Sequence, residues 1–360
     1  MKNKPDTNTH KVSSTQTVVK AKRIKLGIDV HADSYRVVRQ VDHATSQPAQ
    51  KFSPEGFLNW AKKQLELAEE VHSCYEAGPF GYGLHRQLEQ LGINNVVVRP
   101  QNWDEHHKGV KTDKTDALAL VQRLSRYVDG NKKELAVITV PTAEQELARS
   151  QSRQREQLLS HRLRLEAQGR SLLLYNGIRV SGRWWQPLPW SKLQRQLSPS
   201  LLELLAVIHR LLLTVQAELE QATGRLEKAA KPQPYGVGAL TSQVLEREIL
   251  DWSRFKNRRQ VASLTGMCPG VHASGGRSRN GPITKHGNRR IRTALIELAW
   301  RSVRFQPDYP PLKKWKLVLL NPKAAGAAKK KAIVAVGRRL AIDLWRIHTG
   351  KSTPAKLGLK

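Results

Sequence analysis

Acidic residues and cysteines are scarce in this chain. Its 360 residues hold 30 Asp and Glu against 61 Lys and Arg, a net charge of +31, far more than solubility requires. That imbalance implies a polyanionic partner, and because the basic residues read as spread along the whole chain, nucleic acid is favoured. The two cysteines, Cys74 and Cys268, are too few for a disulfide framework or a thiolate zinc site and fit a reducing cytoplasm. Long apolar runs are missing as well. The richest window, residues 200–219, is interrupted by Glu203, His209 and Arg210, so it reads as an amphipathic helix and not a membrane span. The N-terminus has no apolar signal core, so the expectation is a cytoplasmic protein with no membrane partner.

Against that background, residues 25–31, KLGIDVH, read as a buried strand that delivers Asp29 to the rim of a sheet. Residues 34–41 make a second strand, joined to the first as a hairpin. Ser53 and Pro54 start a helix as its cap and first residue. Residues 71–75 form a strand ending at Glu76, residues 83–91 a helix, and residues 95–98 another strand. Strand and helix in alternation predict an α/β domain with a partly parallel sheet. The run KTDKTDA, residues 111–117, then opens a helix on which Asp113 and Asp116 share a face with Ala117, Leu120 and Leu124. One reading makes these acids helix caps that favour its positive end; the other points both toward the sheet.

Residues 142–174 and 201–228 are long, Leu-rich helical stretches separated by a knob carrying Trp184, Trp185 and Trp190. They predict an antiparallel coiled-coil arm, its tryptophans either stacking on bases or packed as a tip. After a linker at 231–234, the turn Tyr235-Gly236-Val237-Gly238 enters a helix, and its backbone N–H groups can hold a phosphate as in helix-hairpin-helix elements. A helix over 257–264 ends at Gly266. The expected partition is a disordered basic arm (1–22), an α/β domain (23–141), a coiled-coil connector (142–231) and a mainly helical C-terminal domain (232–360).

Two groups of residues carry chemistry. Asp29, Glu76, Asp113 and Asp116 are hard oxygen donors suited to Mg²⁺ or Mn²⁺, and such ions stabilise the attacking and leaving oxygens of a phosphodiester displacement. Ser274, in a loop before Gly275 and Gly276, has Arg277, Arg279, Lys285, Arg289, Arg290 and Arg292 close in sequence. These cations, with Lys111, are candidate phosphate contacts. The serine is either a turn residue in a basic loop or a nucleophile whose charge development the guanidinium groups offset. His272 and His286 read as phosphate contacts rather than bases.

GIDVH, CYEAGPFGYGLHRQL, KTDKTDALAL and GMCPGVHASGGRSRNGPITKHGN together resemble the DEDD transposases of the insertion-sequence one-ten family, especially its eleven-eleven subgroup, over residues 24–300. The resemblance implies an N-terminal RuvC-like domain of the ribonuclease-H type, a coiled-coil connector and a C-terminal transposase domain. It further implies that Asp29, Glu76, Asp113 and Asp116 ligate Mg²⁺ and that Ser274 is a nucleophile forming a covalent serine–DNA intermediate, joined to the acids of a different protomer. The partners implied are donor and target double-stranded DNA, a guide non-coding bridge RNA, and further copies of the chain as dimer or tetramer. Lys114-Thr115 and Tyr235 depart from the family pattern. Two rival expectations stand beside this one: a metal-dependent nuclease that resolves DNA junctions by water attack, and a non-catalytic nucleic-acid-packaging protein for which charge alone suffices.

Overall fold

The computed structural model describes residues 20–100, 113–231 and 234–360, with the backbone alone for Asp113 and Lys114. Most of the expected basic arm, Lys111 and part of the linker at 231–234 therefore lie outside the described residues. The chain divides into two compact units, Met1–Val140 and Pro141–Lys360.

The first unit is built on β1 (Ala21–Val30), whose apolar run is buried at Ile24, Leu26 and Ile28. Around it lie β2 (Tyr35–Val41), β3 (Gln50–Phe52), β4 (Ala68–Glu76) and β5 (Asn94–Val98), in the order β3-β2-β1-β4-β5. The β1–β2 and β2–β3 pairs are antiparallel, while β1–β4 and β4–β5 are parallel. This is the mixed sheet the alternation predicted, with the short β3 as an addition. Helix α1 (Pro54–Leu67) starts as expected, the Ser53 hydroxyl accepting from Gly56 N at 3.1 Å. It packs with α2 (Gly83–Gln90) on one face, where Phe57, Leu84 and Leu88 join Leu26, Val71 and Tyr75.

Helix α3 (Asp113–Val128) covers the other face. Ala117, Leu120, Val121 and Leu124 are all buried against the sheet. Strand side chains alternate between faces, so Lys25, Gly27 and Asp29 all belong to the α3 side. Lys25, buried on that side, donates to Ser125 Oγ at 3.0 Å and to Asp42 O at 2.8 Å.

The second unit is helical. Thr142 caps α4 (Ala143–Tyr175) through a reciprocal pair with Gln145. Helix α5 (Pro187–Gln194) follows in the knob, and α6 (Pro199–Lys228) returns antiparallel to α4, as the pairs Arg155–Thr223 (2.8 Å) and Arg162–Gln216 (3.3 Å) show. The buried positions of α6, Leu201, Leu205, Ile208, Leu212, Leu219, Ala222 and Leu226, keep a seven-residue rhythm. The knob is a packed tip. Trp184, Trp185 and Trp190 are buried with Leu173 and Leu205, and Trp190 stacks on His209 at 4.0 Å, so these rings are not a platform for bases. On its outer side α6 exposes Leu204, Val207 and Leu211, and by length and composition alone it would suffice to cross a bilayer.

Helices α7 (Ala239–Ile249) and α8 (Arg258–Thr265) lead to the antiparallel strands β6 (Pro269–Ser274) and β7 (Arg277–Ile283), then α9 (Arg289–Phe305), α10 (Pro310–Leu319) and α11 (Gly326–His348). Helix α9 packs on α11 around Leu295, Leu298, Val336 and Leu340, where the Tyr309 hydroxyl donates to buried Asp343 at 2.7 Å. Ser274 is the last residue of β6 in a hairpin and does not sit in an irregular loop. The hairpin holds together through backbone pairing and a two-residue turn, which residues this polar do not announce.

Candidate active site

Two carboxylates meet at the rim of the first unit because of strand register. In the parallel β1–β4 pair Gly27 lies beside Cys74 and Ile28 beside Tyr75, so one further step sets Asp29 beside Glu76. Both side chains fall on the face that α3 covers. The electrostatics agree, since burial and then the Glu76 carboxylate push the Cys74 thiol well above its ordinary range. The Cys74 thiol donates to Leu120 O at 3.5 Å and is turned into the packing under α3, away from any role as ligand.

The direction of α3 follows from three contacts. Lys25 reaches Ser125, and Gly27 touches Ala117 and Val121. Advancing two residues along β1, about 6.7 Å, corresponds to one turn back along α3, about 5.4 Å. The N-terminal end of α3, where Asp113 begins the helix, therefore lies toward the Asp29 end of β1. Glycine at 27 is what allows this, because a Cβ there would overlap Ala117 O and Val121 N. Asp116 is half-buried beside the apolar stripe. A shallow cleft opens at the rim, lined by Asp29, Glu76 and the turn from Ala77 to Gly81. Sequence reasoning missed His31, whose Nε2 lies 3.1 Å from Asp29 Oδ2. It stands two residues beyond the acid, just past the end of β1, and that spacing was the available signal.

Among the described residues no three His, Cys, Asp or Glu side chains gather as a group able to hold a metal ion. What the rim brings together is the pair Asp29 and Glu76, with the start of α3 directed toward them. Its donor set is all carboxylate oxygen, which fits Mg²⁺ or Mn²⁺ better than a softer ion.

Ser274 lies in the second unit, at the tip of the β6–β7 hairpin, where every residue from Val271 to Asn280 is exposed. Gly275 and Gly276 have φ of +55° and +78°, the left-handed pair that a two-residue hairpin turn demands. Cross-strand partners share a face, so Ser274 sits with Arg277, and His272 with Arg279, on one side of the ribbon. The other side carries Val271, Ala273, Ser278 and Asn280.

The remaining predicted cations divide. Lys285 and Arg289 are exposed, Lys285 in the left-handed region with φ of +58°. Arg290 pairs with Glu156 at 2.5 Å. Arg292 donates to the carbonyls of Thr265 (3.1 Å) and Lys285 (3.4 Å), so it braces the base of the hairpin. Gly236 has φ of +86°, and Gly238 is the first cap of α7 with the Arg301 guanidinium packed against it. The turn is anchored by Tyr235 N donating to Lys360 O at 2.7 Å and by Gln306 Nε2 donating to Tyr235 O at 2.6 Å.

Comparison with known proteins gives a consistent result. Residues 233–312 match the family described as "Transposase IS116/IS110/IS902 family". The chain is 33% identical over 308 residues to "Putative transposase y4rJ" of Sinorhizobium fredii, covering 75% of each chain. It is 25% identical to the "Transposase for insertion sequence element IS1533" of Leptospira borgpetersenii, over 78% of this chain and 85% of that one. To the "Transposase for insertion sequence element IS1111A" of Coxiella burnetii it is 26% identical over 75% of each.

Proposed function

The chain belongs to the IS116/IS110/IS902 family of insertion-sequence transposases, and on that premise we propose that it cuts and rejoins DNA through a covalent serine–DNA intermediate. The observation that carries the reading is the hairpin tip, where Ser274 and Arg277 face solvent side by side. The Ser274 oxygen attacks the scissile phosphorus and gives up its proton. The phosphorus–oxygen bond to the deoxyribose breaks, and the sugar oxygen leaves as a hydroxyl once protonated. Attack by the hydroxyl of another strand end reverses the step, frees Ser274 and joins the strands. Arg277 and Arg279 bind the non-bridging oxygens and offset the charge that grows on them.

In this reading Asp29 and Glu76, with Asp113 and Asp116 from the start of α3, hold Mg²⁺ or Mn²⁺, which when bound supplies charge neutralisation at the attacking and leaving oxygens. The adjacent ends of β1 and β4 support that assignment, as does the mixed sheet for a RuvC-like, ribonuclease-H-type domain. The guide bridge RNA, and the supply of serine and acids by different protomers, enter through the family resemblance. The exposed row Leu204, Val207 and Leu211 on α6 supports self-association.

The test is a denaturing gel of the protein incubated with DNA carrying the element's ends. Unaltered chain should leave a protein–DNA adduct, and Ser274→Ala should leave none while still binding DNA. An adduct that survives the substitution overturns the serine assignment, and cleaved ends never attached to protein would favour water attack at the acids.

A further inference from the structure

Between Tyr309 and Ile342 the sequence contains nine Lys and Arg and no Asp or Glu. Two of the nine are paired from outside the stretch, Lys313 with Asp308 at 3.5 Å and Arg339 with Asp343 at 2.8 Å. Lys314, Lys316, Lys323, Lys329, Lys330 and Lys331 make no ion pair among the described residues, and all but the half-buried Lys329 are exposed. They lie on α10, on the loop after it and at the start of α11, two helices packed on each other. All nine cations fall after Leu312, beyond the residues that match the family.

The fold does not account for these lysines. Leu312 and Leu319 bury the inner side of α10, and Ala332, Ile333 and Val336 that of α11, so packing needs none of the amines. Lys329 to Lys331 stand near the N-terminal end of α11, where the helix macrodipole disfavours cations, and no acidic residue accompanies them there. We infer that this lysine face of α10 and α11 is a second nucleic-acid surface, which grips the phosphate backbone of double-stranded DNA without reading its sequence.

Three features select that partner. Ammonium groups act as point charges on phosphates and lack the guanidinium fork that reads guanine edges. Single strands are held by stacking on aromatic rings, yet the aromatics of the stretch are buried Tyr309 and half-buried Trp315. A protein partner would need a larger apolar patch than the two exposed leucines, Leu317 and Leu320, provide. The inference is independent of the role of Ser274.

The test uses the full chain with Lys323, Lys330 and Lys331 all changed to Gln, in the Ser274→Ala background so that no adduct forms. Affinity for two DNA duplexes of unrelated sequence is titrated against KCl. Each phosphate contact contributes about 0.9 to the salt slope, so the slope should become shallower by about 2 to 3, equally on both duplexes. The corresponding Lys→Arg triple should keep the original slope, and circular dichroism should be unchanged in both. An unchanged slope on DNA overturns the inference, as does a slope change seen with duplex RNA alone. A loss on one duplex only would mark sequence reading and overturn it too.

Discussion

A single missing side chain sets the acid rim. Because α3 crosses β1 at Gly27, with Ala117 O and Val121 N occupying the space a Cβ would need, Gly27→Ala must push the helix away from the sheet. Overpacking of this kind costs about 1–3 kcal/mol, and here the obstacle is backbone, which yields less than a side chain. The urea midpoint should fall accordingly. DNA cleavage should fall further than stability does, since the displaced helix carries Asp113 and Asp116. A variant with unchanged midpoint and activity would show that α3 does not fix the rim. Asp29 and Glu76 were legible in the sequence, because an apolar run that stops at an acid puts that acid at a strand end. The task of Gly27 was not, because it is defined by a helix that begins 86 residues later and leaves no local pattern.

Among the elements, α4, α7 and α9 are tied at Glu248. Its carboxylate, buried on α7, takes two hydrogen bonds from Arg153 of α4 (3.0 and 3.1 Å) and one from Asn288 (2.8 Å), which also caps α9. Burial alone would raise this carboxyl, but the bonds from Arg153 and Asn288 and the charges of Arg153 and Arg149 outweigh it, and the result lies below the ordinary range. A depressed folded value means that the stabilisation is complete above the unfolded value, about 4.5, and is lost as pH falls through the lower folded one. Unfolding free energy should therefore decline in acid below that point, and Glu248→Gln should flatten this part of the curve. At neutral pH the same change should cost about 2–4 kcal/mol, less than a fully buried pair, because Arg153 keeps 38% of its side chain exposed. Equal acid slopes in the two proteins would refute the linkage. Of the helices at this joint, α4 was legible to within a residue at either end from its long Leu-rich helical stretch, whereas α7 runs on to Ile249, past the Leu245 at which its pattern reads as ending. The hairpin was not, since GVHASGGRSRNG lacks the β-branched alternation that marks strands; only its Gly-Gly pair signalled a turn.

Across the whole molecule the charge divides unevenly. The first 140 residues carry 21 Lys and Arg against 16 Asp and Glu, a net +5, whereas the remaining 220 carry 40 against 14, a net +26. Reading the sequence as evenly basic missed this, because cations occur in both halves and the contrast lies in the acids, which thin out only where the second unit begins. A unit of near-neutral balance can hold carboxylates close together, and with cations in attendance its rim need not repel a backbone delivered by another part of the protein. On the function proposed above, grip and acid chemistry then reside in different units. A chain of residues 141–360 should accordingly fold alone around the α9–α11 core, unfold in one cooperative transition, and keep most of the salt slope of duplex DNA binding, while residues 1–140 bind with a slope near zero. If the long fragment lost more than half of that slope while remaining folded, the phosphate contacts would have to be shared with the first unit, and the division of labour between grip and rim would fail.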